Sequence, residues 1–536
     1  MPLRTMALGL EFSTQSVKAL ILDTESGEVV YKESFEYDRQ LPQYGTEGGV
    51  LPAGTPELRH TSPLMMIEAL DIAFERLAAS DIAMDRIGAV KLDAMQHGSV
   101  YVGNEFAEGL GRLDSASALL PQLEGSFTRP TIPIWEDRTT EREVADLTAA
   151  VTETGGLDKL TGNRGELRFP ASQILRWARE EPAAYDRTAY VLLLSAFLTS
   201  ILAGKVAAVD TGDGWGTNLN DLNIDNPGWS APVVAAMNKL LREAGATEDL
   251  AGKLGGIVPY DEPIGEISGY FAAKYGLPAD TIVLAGTGDN PATLLGVGGE
   301  AVISLGSSYT VNGVMSGVAP SETGEYNVFG FAPGSAMALS VFTNGAKLHD
   351  TFLRNYLGKA EGTEISGEDW EKYKALAGDP APTAEEPLML PYLFAESVPS
   401  AGAGIRRDGF DESDAATNVR ALHISQAVSL RLHSDHLADV DSICVVGGSA
   451  RNEVLRRMIT DAFGAETYMI RNSDVAAPLG CAISAARLLL GVSYEEAAKR
   501  FVQRDETTIL KPDPQRRAVY EKLRERYAEL EKRSLK

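Results

Sequence analysis

The chain has 536 residues, of which 44% are hydrophobic and 23% are charged, as is usual for a globular protein of at least two domains. Its formal net charge of −26 argues against a nucleic-acid or anionic-membrane partner, because both need a basic face. Only Cys444 and Cys481 could form a disulfide, and no signal peptide is evident, so we expect a reducing, cytoplasmic setting.

The first predicted elements form a β-meander over residues 7–30. Apolar residues lead into the turn Ser13–Ser16, a return strand spans Val17 to Leu22, and a turn at 25–28 opens a third strand. The small hydroxyl-bearing residues of the first turn would let backbone N–H groups approach an anion. Such turns are common, so this hairpin alone assigns no function.

Residues 63–276 mix helices, strands and loops. We predict a helix over 63–79, a strand over 87–102 and a proline-rich loop over 128–140 that leads into another helix. Tyr190–Gly204 is the longest apolar run; we interpret it as a buried core helix, since it is too short to cross a bilayer. A Gly- and Asp-rich loop follows over 208–221, and a further helix ends at Gly276.

The stretch 281–308 combines two strands, a glycine-rich turn and one carboxylate. An apolar strand, Ile282–Ala285, runs into the turn that holds Asp289, and a second strand breaks into Gly306-Ser307-Ser308. A carboxylate at a strand end, beside a loop free of bulky side chains, suits phosphoryl transfer because it can accept a hydroxyl proton. The alternative is that Asp289 only caps the helix that follows.

The segment Ser304–Val314 repeats the hairpin shape of the N-terminal meander. Two hairpins with small hydroxyl-bearing tips, one early and one past mid-chain, indicate a duplicated domain. Each copy would offer its backbone to one side of a nucleotide phosphate tail. Beyond them we predict a surface insertion over 357–386 with a short helix around Trp370, a helix over Asn418–Leu437, a strand over Ser442–Val446, a glycine turn into a helix, a small-residue helix and a charged C-terminal helix.

Nine short segments, spread over nearly the whole chain, carry a resemblance to a known family: GLEFSTQSVK, LPQYGTEGGV, HTSPLMMIEALD, MQHGSVY, PIWEDRTT, LTGNRGELRF, TGDNPATLLG, SLGSS and VVGGSARN. With these segments the chain resembles the FGGY carbohydrate kinases, sugar kinases of the actin-like ATPase superfamily. Each is short, but their number and order are specific. The resemblance implies an α/β fold of two actin-like (ribonuclease H-like) ATPase domains with an interdomain cleft. Residues 1–280 would form the sugar-binding N-terminal domain and residues 281–536 the ATP-binding C-terminal domain.

The resemblance also implies a sugar site. Asp289 matches the catalytic base, and Asn290 matches a sugar ligand that glycerol kinases would usually replace by Gln, which favours a ketopentose. Further residues match sugar contacts or the loop that lines the pocket: Gln96, His97, Arg168, Trp135 and Asp137. Their structural alternatives are a hydrogen-bonding histidine at a strand end, an exposed arginine at a helix start and a capped loop with a buried tryptophan.

ATP and Mg²⁺ are the implied cofactors. Residues that match the two phosphate hairpins and the adenosine-side turn are Ser13, Thr14, Gly306, Ser307, Ser308, Gly447, Gly448 and Asn452, with Trp370 placed near the adenine by chain position. The family usually carries Asp where this chain has Glu11. Glu11 can still reach Mg²⁺ through water, but the additional methylene is expected to change metal handling and rate.

The implied reaction is ATP-dependent phosphorylation of a ketopentose, D-xylulose before D-ribulose, with glycerol or another polyol as the same-class alternative. A non-catalytic sugar or ATP sensor is the alternative from a different class, and Asp289 counts against it. A chaperone-type ATPase would carry a peptide-binding domain, which the sequence does not indicate. The expected partner is therefore a small-molecule sugar, with no nucleic acid and no membrane, and a homodimer is left open beside a monomer.

Overall fold

A computed structural model describes residues 4–332, 334–379, 381–437 and 439–535. The β-strands of this part of the chain are Met6–Phe12 (β1), Ser16–Asp23 (β2), Val29–Glu36 (β3), His60–Thr61 (β4), Ile87–Ala94 (β5), Ser99–Val102 (β6), Ile132–Pro133 (β7), Tyr190–Leu193 (β8), Val209–Asp210 (β9), Ile257–Val258 (β10), Pro263–Glu266 (β11), Ile282–Leu284 (β12), Thr287–Gly288 (β13), Ala301–Leu305 (β14), Tyr309–Val314 (β15), Asn327–Phe331 (β16), Ser335–Phe342 (β17), Met389–Tyr392 (β18), Gly404–Arg407 (β19), Ser442–Val446 (β20), Glu466–Ile470 (β21) and Arg504–Leu510 (β22).

The α-helices alternate with these strands. They are Tyr37–Gln40 (α1), Pro63–Ala78 (α2), Asn104–Leu110 (α3), Leu120–Leu123 (α4), Glu141–Val151 (α5), Leu157–Thr161 (α6), Pro170–Glu180 (α7), Pro182–Arg187 (α8), Leu194–Ala203 (α9), Thr211–Gly214 (α10), Ala231–Glu243 (α11), Gly269–Tyr275 (α12), Asp289–Gly296 (α13), Ala346–Leu357 (α14), Gly367–Leu376 (α15), Ala415–Leu432 (α16), Glu453–Phe463 (α17), Ala476–Leu490 (α18), Tyr494–Phe501 (α19) and Pro514–Ser534 (α20).

The chain forms two compact units. The first comprises Met1–Gly299, Gly317–Met337 and Asp474–Val502, and the second comprises Glu300–Ser316, Ala338–Ser473 and Gln503–Lys536. This division differs from the predicted one after residue 280. The reason is that β12 and β13 pair with β5 in the sheet of the first unit, so the chain leaves that unit only after α13.

The first unit is built around a mixed sheet in the order β11-β12-β5-β1-β2-β3, with β13 also on β5. Strand β1 is antiparallel to β2 and parallel to β5, and both β1 and β5 are buried along their full length. Helix α18 lies directly against β1: a Cβ on Gly9 would fall 1.9 Å from the carbonyl oxygen of Pro478. This backbone contact explains why α18 is rich in small residues.

The second unit has a sheet in the order β17-β15-β14-β20-β21-β22. Strands β14 and β20 are parallel neighbours, and the hairpin β14–β15 has the predicted shape. The core between this sheet and helices α16, α17 and α20 is apolar, with Ile303, Val445, Ile424, Leu455 and Tyr527 among its buried members. The short helix predicted around Trp370 is α15.

Two sequence predictions need correction. The apolar run at 190–204 is not one helix, because Tyr190–Leu193 forms strand β8 and pairs with β6 before α9 begins. The predicted strand over 87–102 is two strands, since the chain turns between β5 and β6 and His97 there has a positive φ of 70°. The helical stretch Ser473–Leu490 is long and apolar enough to cross a membrane, but 67% of it is buried inside the protein, as is typical of a core helix.

Candidate active site

Three carboxylates lie at one edge of the first sheet. Glu11 on β1 stands opposite Asp93 on β5, and Thr287 on β13 stands opposite Asp93 on its other side, two residues before Asp289. All three strands run parallel, so their carboxyl ends meet at the same edge, which is where α/β sheets place ligands. The topology therefore gathers Glu11, Asp93 and Asp289.

Asp289 is the first residue of α13 and is half-buried. The helix is preceded by Gly288, and no side-chain capping bond is present, so Asp289 does not act as an N-cap. Burial and the negative charge of Glu11 raise the pKa of Asp289 to about 7. Asn290 Nδ2 donates to Asp289 Oδ1 at 3.0 Å and to Gln96 Oε1 at 2.8 Å. A held carboxylate with a pKa near neutrality suits a general base.

His97 is held as a neutral hydrogen-bond acceptor. Its Nδ1 lies 2.8 Å from the carbonyl oxygen of Gly216, and because a carbonyl only accepts, Nδ1 carries the proton and Nε2 is the acceptor. Burial and the charge of Arg168 lower the pKa of His97 to about 3. The ring stacks on Phe169 with centroids 4.4 Å apart. A donor such as a sugar hydroxyl fits the remaining nitrogen.

The short helix α10 supports both Gln96 and His97. The carbonyl oxygen of Gly212 accepts from Gln96 Nε2 at 3.2 Å, and Gly216, which binds His97, lies two residues beyond the end of the helix. Asp210 caps α10 by accepting from the backbone N–H of Asp213 at 3.2 Å. Residues 208–221 were predicted as a loop, so this helix was not anticipated from the sequence.

A fully buried lysine fixes the start of α10. Lys91 Nζ lies 3.0 Å from Asp210 Oδ2 and 2.8 Å from Asp261 Oδ1, and donates to the carbonyl oxygen of Ala285 at 2.7 Å. Burial would lower the pKa of Lys91, but the two aspartates outweigh it and raise that pKa. Lys91 is not among the predicted site residues; its one visible sign in the sequence is a lysine inside the apolar strand IGAVKLDA.

Two predicted sugar residues lie near this cluster in the same unit. Arg168 Nη1 is 3.1 Å from Glu166 Oε2, and its Nη2 donates to Asn327 Oδ1 at 2.8 Å. Trp135 is 46% exposed, and its Nε1 donates to Thr14 Oγ1 at 3.0 Å. The loop predicted to line the pocket thus contacts the tip of the first hairpin. At that tip, Ser13 Oγ donates to the carbonyl oxygen of Ser16 at 2.9 Å.

Asp137 serves its own loop. Its side chain is fully buried and accepts from the backbone N–H of Arg59, the backbone N–H of Thr139 and Gln173 Nε2. Burial would raise the pKa of Asp137, but hydrogen bonds from His60 and Thr139 hold it well below its usual range. The structure brings Gln96, His97, Asp289 and Asn290 together. The carboxylate of Asp137, in contrast, is used in hydrogen bonds that hold its own loop.

The predicted nucleotide residues other than Ser13 and Thr14 lie in the second unit. Ser307 and Ser308 are exposed at the tip of the β14–β15 hairpin, and the carbonyl oxygen of Gly306 accepts from the backbone N–H of Ala346 at 3.0 Å. Gly447 has a φ of 93°, and a Cβ there would lie 2.8 Å from the backbone of Leu305. Gly448 faces open space. This turn leaves bare backbone for a ligand, as nucleoside-binding loops do.

Asn452 begins the helix after that turn. It caps α17 by accepting from the backbone N–H of Leu455 at 3.3 Å, and its Nδ2 lies 2.9 Å from His423 Nε2. Burial lowers the pKa of His423 to about 4, so the ring is a neutral acceptor. Tyr373 lies between this histidine and Trp370, with ring centroids 5.9 Å from each. Trp370 is therefore joined to the glycine turn by packed rings.

Comparison with known proteins decides the family. The family model of the FGGY carbohydrate kinases, N-terminal domain, matches residues 128–296, and that of the C-terminal domain matches residues 301–489. Xylulose kinase of Rattus norvegicus is 32% identical over 548 residues, which cover 99% of this chain and 97% of that protein. The chain belongs to the FGGY family of carbohydrate kinases.

This FGGY kinase also resembles solved structures. Xylulose kinase from Rhodospirillum rubrum superposes with a TM-score of 0.77 at 19% identity, covering 98% of each chain. Gluconate kinase from Lactobacillus acidophilus gives a TM-score of 0.75 at 18% identity, covering 98% of this chain and 97% of that one. These similarities confirm the predicted α/β, actin-like two-domain fold. A xylulose kinase and a gluconate kinase both have this fold, so the fold alone does not identify the acceptor.

FGGY kinases use ATP. Among the described residues, no group of three or more His, Cys, Asp or Glu side chains is arranged to hold a metal ion. Glu11 is 7% exposed, and its Oε2 lies 2.8 Å from Lys18 Nζ. Mg²⁺ usually takes one or two carboxylates together with substrate phosphates rather than a protein cage. Glu11 is one carboxylate of the kind that such an ion takes, and here it is paired with Lys18.

Proposed function

We propose that this FGGY kinase transfers the γ-phosphoryl group of ATP to the terminal hydroxyl of D-xylulose, giving D-xylulose 5-phosphate and ADP. The observation that carries the proposal is Asp289, a carboxylate with a pKa near neutrality, held beside Asn290 and Gln96. The nearly full-length similarity to the rat enzyme supports D-xylulose as acceptor. D-ribulose and glycerol are the competing acceptors.

In the proposed reaction, Asp289 accepts the proton of the sugar hydroxyl as its oxygen bonds to the γ-phosphorus. The bond from that phosphorus to the β–γ bridging oxygen breaks, and the electron pair leaves with ADP. His97 Nε2 accepts from a sugar hydroxyl and Arg168 donates to the sugar. Asn290 donates both of its amide N–H groups to Asp289 and Gln96, so it meets the sugar through its Oδ1, as an acceptor. Mg²⁺, when bound, supplies positive charge at the phosphates, and Glu11 would hold it through water. Positioning and electrostatics supply most of the acceleration.

We assign the nucleotide to bare backbone and small side chains. Ser307 and Ser308 expose N–H and hydroxyl groups at a hairpin tip, which suits phosphate oxygens. Gly447 and Gly448 suit the adenosine side, because neither presents a side chain. Ser13 and Thr14 at the tip of the first hairpin are proposed to contact phosphate in the same manner.

The test is consumption of Mg²⁺·ATP by the purified protein with D-xylulose, D-ribulose, L-ribulose, L-xylulose, glycerol or no sugar. A selective response to D-xylulose supports both reaction and substrate. A selective response to another acceptor keeps the mechanism and replaces the substrate. If no acceptor stimulates turnover, the kinase proposal fails and the sensor alternative takes its place.

A further inference from the structure

Arg168 is held by two side chains, one from its own loop and one from a distant part of the sequence. Glu166 Oε2 lies 3.1 Å from Nη1, and Asn327 Oδ1 accepts from Nη2 at 2.8 Å. Asn327 Nδ2 in turn donates to Glu166 Oε1 at 3.2 Å. The three side chains form a closed ring of hydrogen bonds, which fixes the plane of the guanidinium.

Asn327 is itself anchored by a buried amide. Its Nδ2 also donates to Asn163 Oδ1 at 3.3 Å, and the same Oδ1 accepts from the backbone N–H of Val328 at 2.8 Å. Asn163 Nδ2 donates to the carbonyl oxygens of Trp215 and Val328. Strand β16 is thereby fastened next to α10, although it lies about 160 residues after Arg168 in the sequence. Its position in the first unit makes Asn327 a neighbour of the sugar residues.

The ring also compensates charge. Glu166 balances the positive charge of Arg168, while two of the five guanidinium N–H donors are used by Glu166 and Asn327. The remaining donors can bind hydroxyl or carbonyl oxygens of a neutral sugar. A sugar acid would gain little from a guanidinium already paired with a carboxylate, and its own carboxylate would be repelled by Glu166.

We propose that Glu166 and Asn327 are positioning residues that set acceptor specificity: they hold Arg168 as a charge-compensated hydrogen-bond donor that selects an uncharged polyhydroxylated sugar over a sugar acid. The proposal rests on the proposed function, because it takes Arg168 to contact the sugar. It assigns roles to two residues, one of them in a segment remote from the sugar motifs.

The experiment compares Asn327→Ala, Arg168→Ala, their double variant and Glu166→Gln with the wild type. Asn327→Ala is expected to raise the KM for D-xylulose on the order of tenfold, the loss of one hydrogen bond to a charged group, with the KM for ATP changed less than about twofold. The double variant should be no worse than Arg168→Ala, since Asn327 acts through Arg168. Tyr326→Phe, which removes hydroxyl contacts in the same segment, is the matched control and should leave the KM for the sugar unchanged.

Glu166→Gln tests the charge argument. Its amide oxygen still accepts from Arg168, while its NH2 group replaces the oxygen that accepted from Asn327. The positive charge of Arg168 is then no longer balanced, so the ratio of kcat/KM for D-gluconate to that for D-xylulose should rise on the order of tenfold. An unchanged ratio would overturn the charge selection. Additive losses in the Asn327 and Arg168 double variant, or an equal rise in the KM for ATP, would overturn the positioning role.

Equilibrium binding of D-xylulose and D-gluconate, measured by tryptophan fluorescence without ATP, separates this inference from the proposed function. If the wild type binds D-xylulose but transfers no phosphoryl group, the proposed function fails while the same variants still test the ring by their dissociation constants. If the wild type binds D-gluconate as tightly as D-xylulose, the selection fails. Thermal unfolding of each variant identifies any that is misfolded, and Glu166→Gln, which conserves shape, then carries the test.

Discussion

The burial of Asp289 is unfavourable for its charged form, and this same burial makes the residue suitable as a base. Its carboxylate sits near Glu11, within a part of the sheet edge where burial also raises the pKa of Asp93 well above its usual range. A charge placed this way lowers the stability of the folded state and increases the affinity of the carboxylate for a proton, which is what proton abstraction requires.

The first prediction concerns the pH dependence of the rate. Because the deprotonated form of Asp289 accepts the hydroxyl proton, kcat/KM for the sugar should rise with pH through an apparent pKa of about 7 and then level off. Asp289→Asn should lower kcat by about 10² to 10⁴ while sugar binding persists. Initial rates from pH 5.5 to 8.5 measure this, with Asp225→Asn, an exposed aspartate, as control. A flat profile or near-normal kcat for Asp289→Asn would remove the residue from the base role.

At the scale of elements, α10 is confined on several sides. A Cβ on Gly330 of β16 would lie 2.3 Å from Thr211 Cβ, and one on Gly212 would lie 2.3 Å from Thr287 Oγ1. Ser195 Oγ donates to Asp213 Oδ2 at 2.5 Å. Since the carbonyl oxygens of Gly212 and Gly216 hold Gln96 and His97, a displacement of this helix moves both side chains.

The second prediction tests that dependence. Gly330→Ala forces a new methyl group against Thr211, and overpacking of this kind costs about 1–3 kcal/mol. We expect the KM for the sugar to rise by roughly tenfold, with the KM for ATP little changed, because Gln96 and His97 shift. Gly317→Ala is the control, since a Cβ there meets nothing within 4 Å. Equal changes in both KM values would mean that the variant acts on the whole fold and not through α10.

The same elements show what sequence could and could not predict. The two hairpins, α15 and the grouping of Asp289, Asn290, Gln96 and His97 follow from local patterns and from the family resemblance. The turn at His97 does not, because its positive φ is stabilised by the carbonyl oxygen of Gly216, more than a hundred residues later. Lys91, Asp210 and Asn327 were missed for a similar reason: their partners come from distant segments, and none lies in a recognisable motif.

In the whole molecule, buried carboxyl groups make the stability of the fold decrease as the pH rises. Burial raises the pKa of Asp289 to about 7 and that of Asp210 to about 6, and raises those of Asp93 and Asp213 well above their usual range. The folded state therefore holds protons that the unfolded chain releases above pH of about 4. The stability these protons provide is lost as the pH rises through the folded-state pKa values.

Buried histidines act in the opposite direction. Burial lowers the pKa of His97 to about 3 and that of His423 to about 4, and lowers that of His349 well below its usual value. The unfolded chain takes up protons at these positions below pH of about 6.5, whereas the folded chain does not. Their contribution therefore destabilises the fold as the pH falls below 6.5 and is constant above it.

The two groups together predict that stability falls on the alkaline side. Between about pH 4 and 6.5 the carboxyl and histidine contributions oppose each other, but above 6.5 the carboxyl groups are the ones of these two sets that still titrate. The unfolding temperature should then be lower at pH 8 than at pH 6.5. The net charge of −26 comes mostly from surface carboxylates. These are ionised at both pH values, so they do not cause the change in unfolding temperature.

The variant that tests this is Asp289→Asn, which removes one of the titrating groups. With a folded-state pKa of about 7, Asp289 accounts for roughly 0.5–1 kcal/mol of the loss between pH 6.5 and 8. The variant should therefore unfold at a higher temperature than the wild type at pH 8, and its difference between the two pH values should be smaller. Thermal unfolding is measured at both pH values, in low salt and in about 0.5 M salt, which screens surface charge. The comparison separates the effect of buried carboxyl groups from that of surface repulsion. If added salt abolishes the loss of stability at pH 8, or if Asp225→Asn reduces that loss as much as Asp289→Asn does, surface repulsion sets the pH dependence of stability. Burial at the sheet edge would then no longer explain why Asp289 has the affinity for protons that a base needs.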